Sequence, residues 1–116
     1  MWEFEPINYK RGFLQLIILS LLSQRDMYGY QMVQETARQS GGRYITQEGS
    51  LYPILYKLLE GKYITSYEKY ATPRLRHIYY HIEEKGLEYL DFLQKQFDEV
   101  TYGIRLILKE DTAENE

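Results

Sequence analysis

Residues 47–61 read QEGSLYPILYKLLEG. Leu51, Ile54, Leu55, Leu58 and Leu59 fall at i, i+3, i+4, i+7 and i+8, which predicts a helix with one apolar stripe laid on a core. The opposite face carries Gly49, Ser50, Tyr52, Pro53, Tyr56 and Lys57, which supply hydroxyls, one cation and no acid. Thr46 or Ser50 is expected to cap the start, Pro53 to sit near the first turns and Gly61 to end the helix. A short helix with an apolar back and a neutral-to-basic, hydrogen-bonding front suits the major groove of DNA. Most short amphipathic helices are plain scaffold, so the flanking elements decide.

Upstream, residues 9–23 are expected to form a first helix, with Leu14, Ile17, Ile18, Leu21 and Leu22 on one face. Phe13, Leu16 and Leu19 are apolar too, so the helix needs cover on nearly every side, and a second subunit would provide it. The run Phe13–Leu22 follows Lys10 and Arg11 and superficially imitates a signal peptide. Gln15 and Ser20 interrupt it, Ser23–Asp26 offers no cleavage site, and ten residues cannot span a bilayer. After the polar break at 23–26, Asp26 is expected to cap a second helix over 27–39. Its packing stripe would be Gly29, Tyr30, Val33 and Ala37. Ser40-Gly41-Gly42-Arg43 ends that helix, and a short extended 44–46 leads into the central one. Two helices joined by a short glycine-bearing link form a helix-turn-helix.

Downstream, the period changes to two. Residues 63–70 and 74–82 are rich in Tyr, Ile and Thr and read as two strands joined by Ala71-Thr72-Pro73. Ile78, Tyr80 and Ile82 share one face; His77, Tyr79 and His81 share the other. Lys69, Arg74 and Arg76 gather at the tip, as in a wing that straddles phosphates. Residues 83–109 form the longest helix, where Leu90, Leu93, Phe97, Val100, Ile104 and Ile107 are spaced 3, 4, 3, 4, 3. That seam asks for a partner helix, and the acidic residues 110–116 are expected to fray.

The chain of 116 residues is one domain's length and has no Cys, which excludes disulfides and thiolate metal sites and fits a reducing cytoplasm. The net charge of -3 conceals a division. Residues 10–82 hold ten basic against five acidic side chains, and 83–116 hold four against ten. A basic middle joined to an acidic end suggests two surfaces with two tasks. No nucleophile with its base, phosphate-cradling loop or supported carboxylate dyad is visible, so no enzyme, cofactor or metal is expected. His77 and His81 lie about 13 Å apart along one strand, too far to share a metal. Thirteen tyrosines read as interface and groove material, with Tyr28 and Tyr30 supporting the backbone or core.

The stretches ILSLL (18–22), DMYGYQMVQE (26–35), GGRY (41–44), EGSLYPILYKLLEGKYI (48–64) and YYHIEEKG (79–86) together resemble the PadR family of bacterial transcriptional regulators. The resemblance covers nearly the whole chain. It implies a mainly α fold with a small β-hairpin wing: a winged helix-turn-helix over 1–82, then a C-terminal dimerisation helix and acidic tail over 83–116. The single long C-terminal helix looks like the short subfamily. The wing departs from the family pattern, with Leu75, His77 and Ile78 where relatives often carry a run of Arg and Lys. Some relatives hold flat organic compounds in an aromatic cavity at the dimer interface, but the one Trp here is Trp2.

The expected DNA-contacting residues are therefore Gln47, Ser50, Tyr52, Lys57, Lys69, Arg74 and Arg76. Leu14, Ile17, Leu90, Leu93, Phe97, Val100, Ile104 and Ile107 are the expected homodimer interface. Trp2, Phe4 and Tyr9 are candidates for lining a cleft that takes a small aromatic effector. The expected function is a cytoplasmic, homodimeric repressor of a double-stranded DNA operator, released by that effector. The rival is a protein–protein adaptor on the same scaffold that has lost DNA binding, which the depleted wing and acidic total would suit.

Overall fold

Helix α1 (Lys10–Gln24) runs through the centre of the core in the computed structural model, which describes residues 10–109. It is followed by β1 (Met27–Tyr28), α2 (Gly29–Gln39), α3 (Glu48–Glu60), β2 (Ile64–Thr72), β3 (Leu75–Ile82) and α4 (Glu84–Leu108). The three strands form one antiparallel sheet in the order β1-β3-β2. Helices α2 and α3 with the β2–β3 hairpin make a winged helix-turn-helix, and α4 extends from the end of the wing.

Much of the cover that α1 needs comes from its own chain. Leu14, Ile18, Leu19, Leu21 and Leu22 are buried against Met32 of α2, Leu51, Leu55 and Leu58 of α3, Ile64 of β2, Tyr80 and Ile82 of β3 and Leu90 of α4. Phe13 stays exposed, and Leu16 and Ile17 are only partly covered. The demand for a second subunit thus narrows to the first half of α1. Burial of nine side chains at under 2 % exposure, at about 1.5–3 kcal/mol each for large aliphatics, is the dominant stabilising contribution.

Local signals were reliable for period and less so for caps. Asp26 does not cap α2; Met27 and Tyr28 instead pair with Tyr80 and Tyr79 as β1, and Tyr28 holds the N-cap position. Gln31 Oε1 accepts the Tyr28 backbone N–H at 3.1 Å, the return half of a capping box. Asp26 is drawn away by distant partners: Tyr67 Oη donates to Oδ2 at 2.7 Å, and His81 Nδ1 lies 2.8 Å from Oδ1. One carboxylate so clamps the α1–β1 turn to both strands of the wing. The buried face of α2 is Gly29, Met32 and Thr36, while Tyr30 is exposed. Neither Thr46 nor Ser50 caps α3, because Gln47 occupies that position and Thr46 is buried.

Two helices end in the same way with different residues. After α2 the N–H of Gly41 bonds Arg38 O and that of Gly42 bonds Ala37 O, a Schellman turn with Gly41 at φ 63°. After α3 the N–H of Lys62 bonds Leu59 O and that of Tyr63 bonds Leu58 O. There the left-handed residue is Lys62, at φ 63°, not Gly61. Glu83 N–H then donates to Tyr63 O at 3.0 Å, and Lys85 Nζ donates to Gly61 O at 2.7 Å, which pins the start of α4 to this turn. Gly86 packs flush on the same peptide: a Cβ there would overlap Tyr63 O and come within 2.7 Å of Ile82 Cγ1.

Thermal melts of two single variants check this junction. Gly86→Ala should destabilise by about 1–3 kcal/mol, because backbone cannot yield to the added methyl. Lys62→Gly should stabilise by roughly 0.5–1 kcal/mol through relief of the left-handed backbone. The Asp26 clamp has a pH signature. Partial burial pushes its carboxyl up, but hydrogen bonds from Tyr67 and His81, with the charge of the imidazolium, outweigh that and hold it below its ordinary value. A depressed value means stability that is present at neutral pH and lost as pH falls through the folded value. Asp26→Ala should cost about 1 kcal/mol at pH 7, and the gap from wild type should close in acid melts.

Candidate nucleic-acid interface

Helix α3 presents its apolar stripe inward, with Leu51, Leu55 and Leu58 buried and Ile54 and Leu59 partly so. Gly49, Ser50, Pro53, Tyr56, Lys57 and Glu60 are left on the outside. Pro53 lies in the second turn and has no N–H for the Gly49 carbonyl, so that carbonyl keeps no intrahelical i+4 partner on the exposed face. Gln47, Ser50 and Lys57 are exposed as expected, and Lys57 has no acidic partner among the described residues. Tyr56, 69 % exposed, is the most open tyrosine of the helix and was not among the expected contacts. Its signal was present in the sequence, since it lies one turn beyond Tyr52.

Tyr52 is turned toward the wing. Its phenol donates to Glu48 Oε2 at 2.9 Å, and this bond, with partial burial, pushes the phenol above its ordinary value. The front of α3 is therefore not free of acid, as its outward residues suggested: Glu48, one turn before Tyr52, shares that flank. Tyr52 and Glu48 line a cleft of about 230 Å³ with Tyr28, Gly29, Arg76 and His77. The cleft joins the N-terminus of α2, the first turns of α3 and the part of β3 from Arg76 to Tyr80. His77 stacks on Tyr28 with ring centroids 3.9 Å apart, which supports that wall.

The three basic residues of the wing diverge. The hairpin register pairs Lys69 with His77 and Tyr70 with Arg76, which puts Lys69 and Arg76 on opposite faces. Lys69 lies 5.3 Å from the Tyr79 ring centroid, over an outer ladder in which Tyr67 and Tyr79 stack. Arg76 faces the α3 side and is tied to Glu68 at 2.9 Å. Arg74 stands at the turn with no acidic partner among the described residues. Only Tyr52 and Arg76 of the expected contacts line that cleft.

The expected dimer seam divides as well. Leu14 and Leu90 are buried in the core of their own chain, so neither is an exposed interface residue. Ile17 and Leu93 are partly buried against that core. Phe97, Val100, Ile104 and Ile107 are exposed, and Ile107 reaches 78 %. Phe92, Leu106 and Leu108 widen the exposed apolar surface beyond the heptad positions. Phe13 of α1 meets Phe97 edge-on at 5.5 Å, which joins the two helices along one side. A cavity of about 380 Å³ lies between α1, the end of α2 and α4, lined by the apolar Leu16, Ile17 and Phe97 and the polar Gln39, Gln94 and Asp98 among others. Trp2, Phe4 and Tyr9 lie outside the described residues. No cluster able to hold a metal and no helix able to cross a membrane occurs among the described residues.

Comparison with known proteins agrees with this geometry. An uncharacterised protein of Lysinibacillus sphaericus is 31 % identical over 99 residues, spanning 85 % of this chain and 91 % of that one. The transcriptional regulator YqjI of Escherichia coli (strain K12) is 27 % identical over 97 residues, 84 % of this chain but only 45 % of YqjI. The crystal structure of a PadR-like transcriptional regulator from Bacillus cereus superposes with a TM-score of 0.73 at 28 % identity, over 89 % of this chain and 98 % of that one. The sequence model of the transcriptional regulator PadR-like family matches residues 18–91, from the core of α1 into α4. The chain belongs to the PadR-like family of transcriptional regulators.

Proposed function

We propose that this regulator is a cytoplasmic homodimer that represses transcription by binding a DNA operator, and that a small aromatic effector releases it. Residues 1–82 bind DNA in this reading, and 83–116 assemble the dimer. The observation that carries it is the presence of two unlike exposed surfaces on one chain. One is the exposed front of α3, where Lys57, like Arg74 at the turn of the wing, has no acidic partner among the described residues. The other is the exposed apolar side of α4 around Val100, Ile104 and Ile107.

Lys57, Arg74 and Arg76 serve as phosphate contacts, which position the protein without reading sequence. Gln47, Ser50 and Tyr56 lie on the part of α3 that enters the major groove. A second copy covers the apolar side of α4, because a helix of roughly 37 Å by its rise is longer than the domain it starts from can shield. The 380 Å³ cavity at the edge of that surface is the effector's seat, with apolar side chains for a flat ring and polar groups to orient it.

Mobility-shift titration against DNA from the protein's own upstream region, over a salt series, tests the reading. Affinity should fall steeply with salt, and Lys57→Ala should lower it evenly across sequences and flatten the slope by about one. Binding that no DNA displays at low salt would favour the adaptor. Sedimentation tests the assembly: Phe97→Glu with Ile104→Glu should yield monomers or aggregates, since each places an unpaired charge in an apolar contact. A double variant that remains a stable dimer would exclude this seam.

A further inference from the structure

The carboxylate that the outward residues of α3 did not reveal changes what its neighbour can do. Tyr52 has one proton, and the bond to Glu48 Oε2 at 2.9 Å commits it within the helix. A phenol so engaged turns only lone pairs to a third party, and an ionised carboxylate is an acceptor and nothing else. The two oxygens are also backed by α2. A Cβ on Gly29 would lie 3.1 Å from Glu48 Oε2 and 3.4 Å from Tyr52 Oη, so the close approach of that backbone keeps the pair in place. Tyr52 remains 40 % exposed, and both residues line the cleft that Arg76 and His77 share.

We propose that Glu48 and Tyr52 act together as a single acceptor that reads an exocyclic amine of adenine or cytosine in the operator. The inference rests on the DNA-binding reading above. Along the major-groove edge, hydrogen-bond donors occur at adenine N6 and cytosine N4, while guanine O6 and N7 and thymine O4 are acceptors. Two fixed acceptors favour an amino base on the strand they face and oppose guanine or thymine at that position. They repel phosphate oxygens for the same reason, which keeps this flank of α3 off the backbone and inside the groove. Arg76, across the cleft and held by Glu68, takes the phosphate side instead. Glu48 thereby becomes a specificity-determining residue, beyond its favourable place at a helix N-terminus.

Selection of binding sites from a randomised duplex library, with the full chain as wild type, Glu48→Gln and Tyr52→Phe, tests this. Glu48→Gln is isosteric and Tyr52→Phe removes only the hydroxyl, and a thermal melt of each verifies the fold. Wild type should enrich adenine or cytosine at one position of each half-site, with roughly ten-fold discrimination against guanine and thymine. Glu48→Gln, whose amide can donate as well as accept, should flatten that position toward all four bases and leave the rest of the motif unchanged. Tyr52→Phe should weaken the preference at the same position. Variants that return the wild-type motif, or that lose affinity equally for every sequence, would overturn the proposal by reducing the pair to a structural tie. A wild type that enriches no motif would overturn it together with the DNA-binding reading, an outcome distinct from the other two.

Discussion

The peptide between Tyr63 and Ile64 is the point on which the rest of the structure depends. Its carbonyl accepts the N–H of Glu83 at 3.0 Å and lies flush under Gly86, while Lys85 bonds Gly61 O and covers the Tyr63 ring at 4.6 Å. Thr65 Oγ1 adds a bond to Glu83 at 2.8 Å. The end of α3, the root of the wing and the start of α4 therefore meet within a few residues. Hydrogen bonds of this kind contribute about 0.5–1.5 kcal/mol each, so their number and convergence matter more than any one of them. The geometric constraint at Gly86 is stricter, because a side chain has nowhere to go where backbone meets backbone.

That junction explains why so small a chain can hold a long helix with so little around it. Only the first part of α4 is fixed to the domain: Leu90 is buried, Leu93 is partly so, and Gln15 Nε2 donates to Tyr89 Oη at 2.7 Å from α1. Beyond Phe97 the apolar side chains Val100, Ile104 and Ile107 are exposed. The core that α1 organises and the surface that α4 exposes are thus consecutive stretches of one helix pair. The first stretch stabilises the fold, and the second is available for assembly.

Periodicity made most of this legible from the sequence. The stripe of residues 51–59, the alternation through 78–82 and the 3-4 spacing of the last helix each correspond to an observed element, with bounds displaced by a residue or two. Interactions that span the chain were not legible. Asp26 looks like a helix cap because capping is local chemistry, but its partners lie 41 and 55 residues away, and they win. Leu14 and Leu90 look like interface positions because spacing cannot distinguish a seam that faces its own core from one that faces a partner. The divergence of Lys69 and Arg76 follows from the register shift between Tyr70 and Thr72, a bulge that their separation in sequence does not reveal. Glu48 was legible in principle, as an i,i+4 partner of Tyr52, but it flanks the face opposite the apolar stripe and does not belong to it.

In the proposed dimer the same junction acts as a short lever arm. Helix α4 is roughly 37 Å long at 1.5 Å per residue, and its far half would lie in the interface while its near end is locked to α3 and the wing. A tilt of about 5° at the interface moves the opposite end by roughly 3 Å, by the same helix geometry. Two reading helices must match successive major grooves about 34 Å apart, so displacements of that size disturb base contacts whose bonding range is a few tenths of an ångström. At the junction Gly86 packs flush on the Tyr63 peptide and Glu83 bonds its carbonyl, which couples the start of α4 to the end of α3 and the wing. Under the proposed function, an effector seated against α1 and α4 would need no contact with the DNA surface. It would need only to bind one interhelical angle better than another, and its differential affinity would set the limit of the response.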